Sequence, residues 1–220
     1  MALEIARVLP AESRVLDVGC GNGFIAHHLS TMMGTSVVGI DLDATTEAAI
    51  DYHQYDSKHF PLEDNSVDAV LLCYVLHHAQ DLGILMNEVR RVLSTDGQAI
   101  IYEDIPSLWW ERLTCWAHDL RWRKRTGPCT FRCESEWRSL FNTAGFEIIS
   151  ERPLSRWRNL THLVSHRFYV LKPNGNWPQR SLKQQDPSFT QRREFVARDP
   201  KSQTSSREPE GSETKSDHQD

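Results

Sequence analysis

Little in this chain of 220 residues is extreme, and what it lacks already narrows the reading. There are only five cysteines, an odd and scattered set with no CxxC pair and no histidine at zinc-finger spacing. Neither a disulfide framework nor a structural zinc site is expected, and a reducing, cytoplasmic setting fits best. No sign of charge dominates: 25 basic and 30 acidic residues leave a formal charge of −5, which speaks against a wholesale nucleic-acid binder. No uninterrupted apolar run approaches the roughly 20 residues that span a bilayer. The first residues are too polar for a secretory leader.

What is present changes character along the chain. Beyond Pro173 the sequence becomes Ser, Thr, Glu, Lys, Arg and Asp, ending at Asp220. Such a stretch cannot offset its ordering entropy by burial, so 174–220 is read as a disordered polar tail and 1–173 as the folded domain. Inside that domain, strand and helix signals alternate. Arg14–Val18, Ser36–Asp41 and Ala69–Cys73 are apolar runs of strand length, and Tyr52–Asp56 is a weaker one. Asn22–Met33 and Leu82–Leu93 carry helical periodicity, and Gln98–Tyr102 follows the Asp96-Gly97 turn. This alternation predicts a three-layer α/β sandwich on a mainly parallel sheet. Further on, Leu108–Leu120 and Glu134–Ala144 read as helices, Phe146–Ile149 as a strand, and Leu163–Leu171 as its antiparallel partner at the sheet edge.

The sharpest local feature is Gly19-Cys20-Gly21-Asn22-Gly23, placed between the first strand and the first long helix. Glycines allow a tight turn and a close ligand, and the helix start directs N–H groups at the crevice. Asp17 precedes the loop and Asp41 ends the next strand, where a carboxylate can accept both ribose hydroxyls. The third glycine comes one position too early for the dinucleotide pattern, and Asp17 would repel a pyrophosphate. A cofactor with an amino group and a sulfonium but no phosphate suits this acidic crevice better.

These residues resemble the class I S-adenosylmethionine-dependent methyltransferases, in the branch called methyltransferase type 11. The resemblance runs through Val15–Gly23, Val38–Asp41, Phe60–Asp68, Ala69–His78, Glu88–Leu93 and Asp96-Gly97. It implies a Rossmann-like sheet of the seven-stranded type and S-adenosylmethionine as cofactor. Carried over residue by residue, it places Gly19, Cys20, Gly21 and Gly23 around the methionine part, with Asp17 facing the amino group. Asp41 would hold the ribose and Leu42 would lie against the adenine. Asp56 with Ser57 would meet the adenine amino group, and Cys73 and Tyr74 would lie beside the methionine chain. His77 and His78 would begin the substrate wall. His78 is the first candidate for a base or positioning group, followed by His77 and Glu103; a structural hydrogen bond is the alternative for both histidines.

Two departures stand out. Only 14 residues separate Asp41 from Asp56, so the second crossover is short for a full helix. At most one short helix precedes the first strand, so any substrate cover must come from elsewhere, foremost 106–133. That segment holds Trp109, Trp110, Trp116 and Trp122, with an apolar stripe of Trp109, Leu113, Trp116 and Leu120 and a basic run Arg121–Arg125. Two readings stay open: a helix packed on the sheet with a solvated basic loop after it, or a lid over an apolar acceptor that touches a membrane surface or an anionic group. Asp104 or Ser107 would cap this helix. No third ligand accompanies Glu103 and Asp104, and Cys129 and Cys133 lack histidine partners, so no metal is expected. The function expected is methyl transfer to an O, N or C atom of a small, largely apolar acceptor. The rivals are a non-catalytic partner protein, a methyltransferase of proteins or nucleic acids, and a nicotinamide reductase, which cofactor titration would separate.

Overall fold

The computed structural model describes residues 1–154 and 164–175, all within one compact unit, Met1–Pro178. The expected disordered tail therefore lies, from residue 176 on, outside the described residues.

The elements follow the predicted alternation. A short helix α1 (Ala2–Ala6) precedes β1 (Val15–Val18), α2 (Phe24–Met33), β2 (Val37–Asp41) and β3 (Asp51–Gln54). Then come β4 (Val67–Cys73), a 3-10 turn (Leu76–His78), α3 (Leu82–Val92) and β5 (Leu93–Asp104). The chain continues with α4 (Trp109–Thr126), α5 (Glu134–Thr143), β6 (Phe146–Leu154) and β7 (His166–Pro173). Seven strands form one sheet in the order β3-β2-β1-β4-β5-β7-β6. The pairs from β3 to β5 are parallel, and β7 runs antiparallel to both β5 and β6. This corrects one expectation: β7 is not the edge strand but lies between β5 and β6, and β6 takes the edge. Its burial explains the placement, since Phe168, Tyr169, Val170 and Leu171 are buried on both faces in succession.

Two cores flank the sheet, one on each side. Strand residues alternate between them, as a pleat requires. Leu16, Val18, Val70 and Leu72 meet Leu85, Met86 and Val89 of α3 and Trp137 and Phe141 of α5. Val15, Val37, Ala69 and Leu71 meet Ile5 of α1 and Ala26 and Leu29 of α2. The three-layer expectation holds. Asp81 caps α3 by accepting from the Ile84 amide at 2.9 Å. The motif around Phe60–Asp68 has a structural reason. Arg91 donates to Glu88, to Asp64 and to the carbonyls of Phe60 and Leu62, tying that loop to α3.

The second crossover is shortened further than a helical turn allows: residues 42–50 contain no helix. Ile50 instead packs directly over two glycines. Its Cδ1 lies 2.6 Å from where a Cβ on Gly39 would be, and 2.9 Å from one on Gly23. Thr46 Oγ1 donates to the Gly21 carbonyl and the Ala48 amide to the Asn22 carbonyl, both at 2.9 Å.

Helix α4 overturns the packing reading of its apolar stripe. Trp109, Leu113, Trp116 and Leu120 are all exposed, Trp109 at 72% and Trp116 at 62%. The residues that face inward are Glu111, Cys115 and Asp119, with His118 and Trp122 half-buried beside them. Arg121–Arg125 continue the helix rather than forming a loop. No residue of α4 joins either core. Neither Asp104 nor Ser107 caps it. Glu111 reaches back instead and accepts from the amides of Ser107 at 2.6 Å and Leu108 at 2.9 Å, while Asp104 pairs with His166 at 2.6 Å.

Candidate active site

The glycine loop and the ends of β1, β2 and β4 form a crevice at the carboxyl edge of the parallel strands. Gly19, Gly21 and Gly23 all have positive φ, at 65°, 54° and 76°. A side chain at Gly19 would meet Val75 Cγ2 at 2.6 Å, whereas a Cβ at Gly21 would meet nothing within 4 Å. Gly21 therefore borders open space, as a ligand-facing position should. The amides of Gly19 and Cys20 both donate to the Ile40 carbonyl, which fastens the loop to β2.

Asp41 is held beside that loop. Its Oδ2 accepts from the Gly21 amide at 2.8 Å and its Oδ1 from the Leu42 amide at 2.7 Å. Leu42 is exposed beside it. Asp17 is only 1% exposed, and its Oδ2 has no hydrogen-bond partner among the described residues. Burial, reinforced by the charge of Asp41, pushes its pKa up to about 7. A buried carboxylate lacking a partner in an acidic crevice is a receptor for a cation. Cys20, raised to about 12 by burial and then by Asp17 and Asp41, stays a thiol.

Cys73 and Tyr74 stand at the end of β4, and Tyr74 adopts φ 61° while its amide donates to the Tyr102 carbonyl. Asp56 is placed differently from the others. It follows β3, is largely exposed, and its Oδ1 accepts from the Lys58 and His59 amides at 2.8 Å. These bonds, that of His59 foremost, lower its pKa. Its carboxylate is engaged by its own turn, and Ser57 holds positive φ within that turn.

Beyond Tyr74 the 3-10 turn carries the two histidines. His77 is 1% exposed and Glu103 0%. They form a buried pair, with His77 Nδ1 2.5 Å from Glu103 Oε1. Burial opposes the His77 imidazolium, but Glu103 outweighs it and the pKa is raised. Glu103 therefore holds His77. His78 is half-buried, and its Nδ1 contacts Thr126 Oγ1 at 3.1 Å and Cys129 Sγ at 3.3 Å. Burial first, then the neighbouring His77 and His118, push its pKa down to about 4. With so low a pKa His78 is neutral at neutral pH and a weak base, and a positioning role suits it better than a general base.

Helix α4 and the segment after it close over this turn. His118 Nε2 reaches His78 Nε2 at 3.2 Å, Phe131 stacks on His77 at 4.7 Å between ring centroids, and Gln80 donates to the carbonyl of Thr126. Arg125 bridges to Asp43, beside Asp41. The structure thus brings Asp17, Asp41, the glycine loop, His77, His78 and Glu103 to one edge of the sheet. His118 and Thr126 were not singled out from the sequence, and Cys129, read there as lacking a histidine partner, meets His78. The available signal was the polar stripe Glu111, Cys115, His118 and Trp122 at helical spacing, opposite the apolar one. Ligand atoms of His77, His78 and His118 lie within 4.8 Å of one another, a grouping that sequence spacing did not suggest.

Comparison with known proteins fits this geometry. Residues 16–101 match the family described as "Methyltransferase domain". A malonyl-[acyl-carrier protein] O-methyltransferase of Yersinia pestis is 34% identical over 90 residues, which cover 38% of this chain and 33% of that protein. A sterol 24-C-methyltransferase of Gibberella zeae is 34% identical over 103 residues, covering 41% of this chain and 27% of that protein. The matches span about a third of the length of these curated relatives. A solved structure of a SAM-dependent methyltransferase from Methanosarcina mazei superposes with a TM-score of 0.60 at 20% identity, covering 78% of this chain and 97% of that one, and shares the fold. Glycine loop, paired carboxylates and strand order agree with the match over 16–101, which identifies that segment as a methyltransferase domain of the class I S-adenosylmethionine-dependent kind.

Proposed function

We propose that this chain transfers a methyl group from S-adenosylmethionine to an O, N or C atom of a small, largely apolar acceptor held between His78 and α4. The observation that carries this reading is the acidic, glycine-lined crevice that ends at a histidine wall roofed by α4. The crevice fits the cofactor: Asp17 offers an unpartnered buried oxygen for the ammonium, Gly21 leaves room for the methionine chain, and Asp41 stands where the ribose would lie. S-adenosylmethionine supplies a methyl group already electrophilic on a sulfonium.

What remains for the protein is placement. Asp17 and the glycine loop fix one reactant, and His78 and the roof of α4 fix the other. Orientation of this kind contributes up to about 7–11 kcal/mol in favourable intramolecular cases. Glu103 holds the His77 ring, against which the His78 ring sits at 4.2 Å between centroids. His78 stands where it can align an acceptor atom, and a released proton passes to water. Phe131 and Trp122 flank the imidazoles and exclude solvent from that wall.

The outward apolar face of α4 supports delivery of the acceptor from a lipid surface. Trp109, Leu113, Trp116 and Leu120 line one side, with Arg112, Arg121, Lys124 and Arg125 exposed around them. Tryptophan pairs apolar bulk with one N–H and suits a membrane interface, and arginines suit anionic headgroups. No helix among the described residues is long and apolar enough to cross a membrane. Calorimetric titration with S-adenosylmethionine, followed by transfer of labelled methyl to a panel of phenols, fatty acids and sterols, tests the reading. Binding with turnover of one of these classes is expected; no binding of the cofactor would overturn it.

A further inference from the structure

Three imidazoles converge at the inner end of the crevice, and methyl transfer as described needs only one of them. His78 and His118 approach through their Nε2 atoms at 3.2 Å. A tetrahedral zinc ion with Zn–N bonds of about 2.0–2.1 Å separates its nitrogen ligands by about 3.3 Å. The spacing of this pair is already that of two ligands on one ion. With His77 included, one ligand atom from each residue lies within 4.8 Å of the others, so closure asks for side-chain movement on the order of an ångström.

Two of the three rings are also held in the manner of a ligand. His77 is 1% exposed; Glu103 occupies its Nδ1, and its Nε2 has no hydrogen-bond partner among the described residues. A carboxylate on one ring nitrogen with the other left free is the arrangement that orients metal-binding histidines. His78 shows the same division. Thr126 and Cys129 meet its Nδ1 and leave Nε2 directed at His118. His118 comes from α4, 40 residues away, and its approach cannot be explained by packing of an apolar face, because that face points outward.

We propose that His77, His78 and His118 bind one divalent transition-metal ion of the zinc type, with a fourth position open toward the acceptor. An all-imidazole set selects zinc-like ions over magnesium or calcium, which require oxygen ligands. Three protein ligands and one open position are the pattern of reactive rather than structural sites. The open position would take an oxygen of the acceptor, a role that rests on the methyl-transfer reading; the ion site itself does not.

The test uses the full chain, stripped with a chelator and titrated with zinc against a chromophoric competitor, and then with cobalt(II) for its visible absorption. One equivalent should bind at submicromolar affinity, and cobalt should show the spectrum of a tetrahedral nitrogen site. His118→Ala should weaken zinc binding by at least about 100-fold while circular dichroism and S-adenosylmethionine affinity stay unchanged. Cys133→Ser, at an exposed thiol outside the cluster, should bind zinc as the parent does. Absence of stoichiometric binding, parental affinity in His118→Ala, or loss in Cys133→Ser would overturn the proposal. Zinc binding without cofactor binding would leave the site standing and remove the methyl-transfer reading instead.

Discussion

Cofactor affinity should carry the titration of Asp17. In the free protein this carboxyl is buried and its pKa is raised to about 7. Its Oδ2 lacks a partner, so an ammonium placed beside it stabilises the charged form and must displace any proton. The apparent dissociation constant should then rise by the factor 1 + 10^(7 − pH) as the solution is acidified. Between pH 8 and pH 5.5 the Asp17 factor alone grows about 30-fold, or about 2 kcal/mol. On the alkaline side the cofactor's own amino group deprotonates at about 8, so affinity should peak between the two. Isothermal titration calorimetry at pH 6, in two buffers of different ionisation enthalpy, should report release of about one proton per cofactor bound. Asp17→Asn should abolish that release and flatten the acid limb. An affinity independent of pH from 5.5 to 7.5, with no proton released, would refute the reasoning. The same shift predicts a stability cost. A carboxyl whose folded pKa lies above its unfolded value of 3.8 favours the folded state at low pH, and that advantage is lost as pH rises through about 7. The penalty reaches about 4 kcal/mol at pH 8, so Asp17→Asn should melt higher than the parent there and show little gain near pH 4.

Three further outcomes are expected. Gly21→Ala faces no steric clash in the free protein but must hold a left-handed backbone, so it should cost about 1–2 kcal/mol in urea denaturation and lose cofactor binding in calorimetry. Arg91→Met strips the nearly buried Glu88 carboxylate of its partner and frees the Phe60–Asp64 loop, and should cost about 3–5 kcal/mol by the same denaturation measurement. Trp116→Asp, exposed and outside both cores, should leave the unfolding free energy unchanged within about 0.5 kcal/mol but lower partition onto anionic vesicles by about tenfold or more in a flotation assay; equal partition would sink the membrane-delivery reading.

The sheet and the cofactor crevice were legible in the sequence for a common reason. Strands such as Val70-Leu71-Leu72 are buried on both faces and leave an unbroken apolar run, and Gly19, Gly21 and Gly23 are glycine because backbone geometry demands it. Where the signal came from tertiary context, the reading failed. The stripe on α4 has a helical period that reports a shared face, but a period carries no sign. Here the apolar face is outward and the acidic one, Glu111 and Asp119, inward. His118 was invisible for the same reason, since only the inward turn of that face brings it to His78. The position of β7 depends on pairing between distant segments, which local pattern does not encode. In the second crossover, Ile50 packs over Gly39, a contact that appears only once both residues are in space.

The detachment of α4 from both cores has a consequence for how such a protein can change. Stability resides in the sheet and its two flanking layers, to which the outward face of this helix does not contribute. Substitutions at Trp109, Leu113, Trp116 and Leu120 can therefore accumulate with little filtering by the requirement to fold, whereas the inward Glu111, Cys115 and Asp119 stay constrained by burial and hydrogen bonds. If this helix selects the acceptor, as proposed, preference and thermodynamic robustness are separable traits along its outer face.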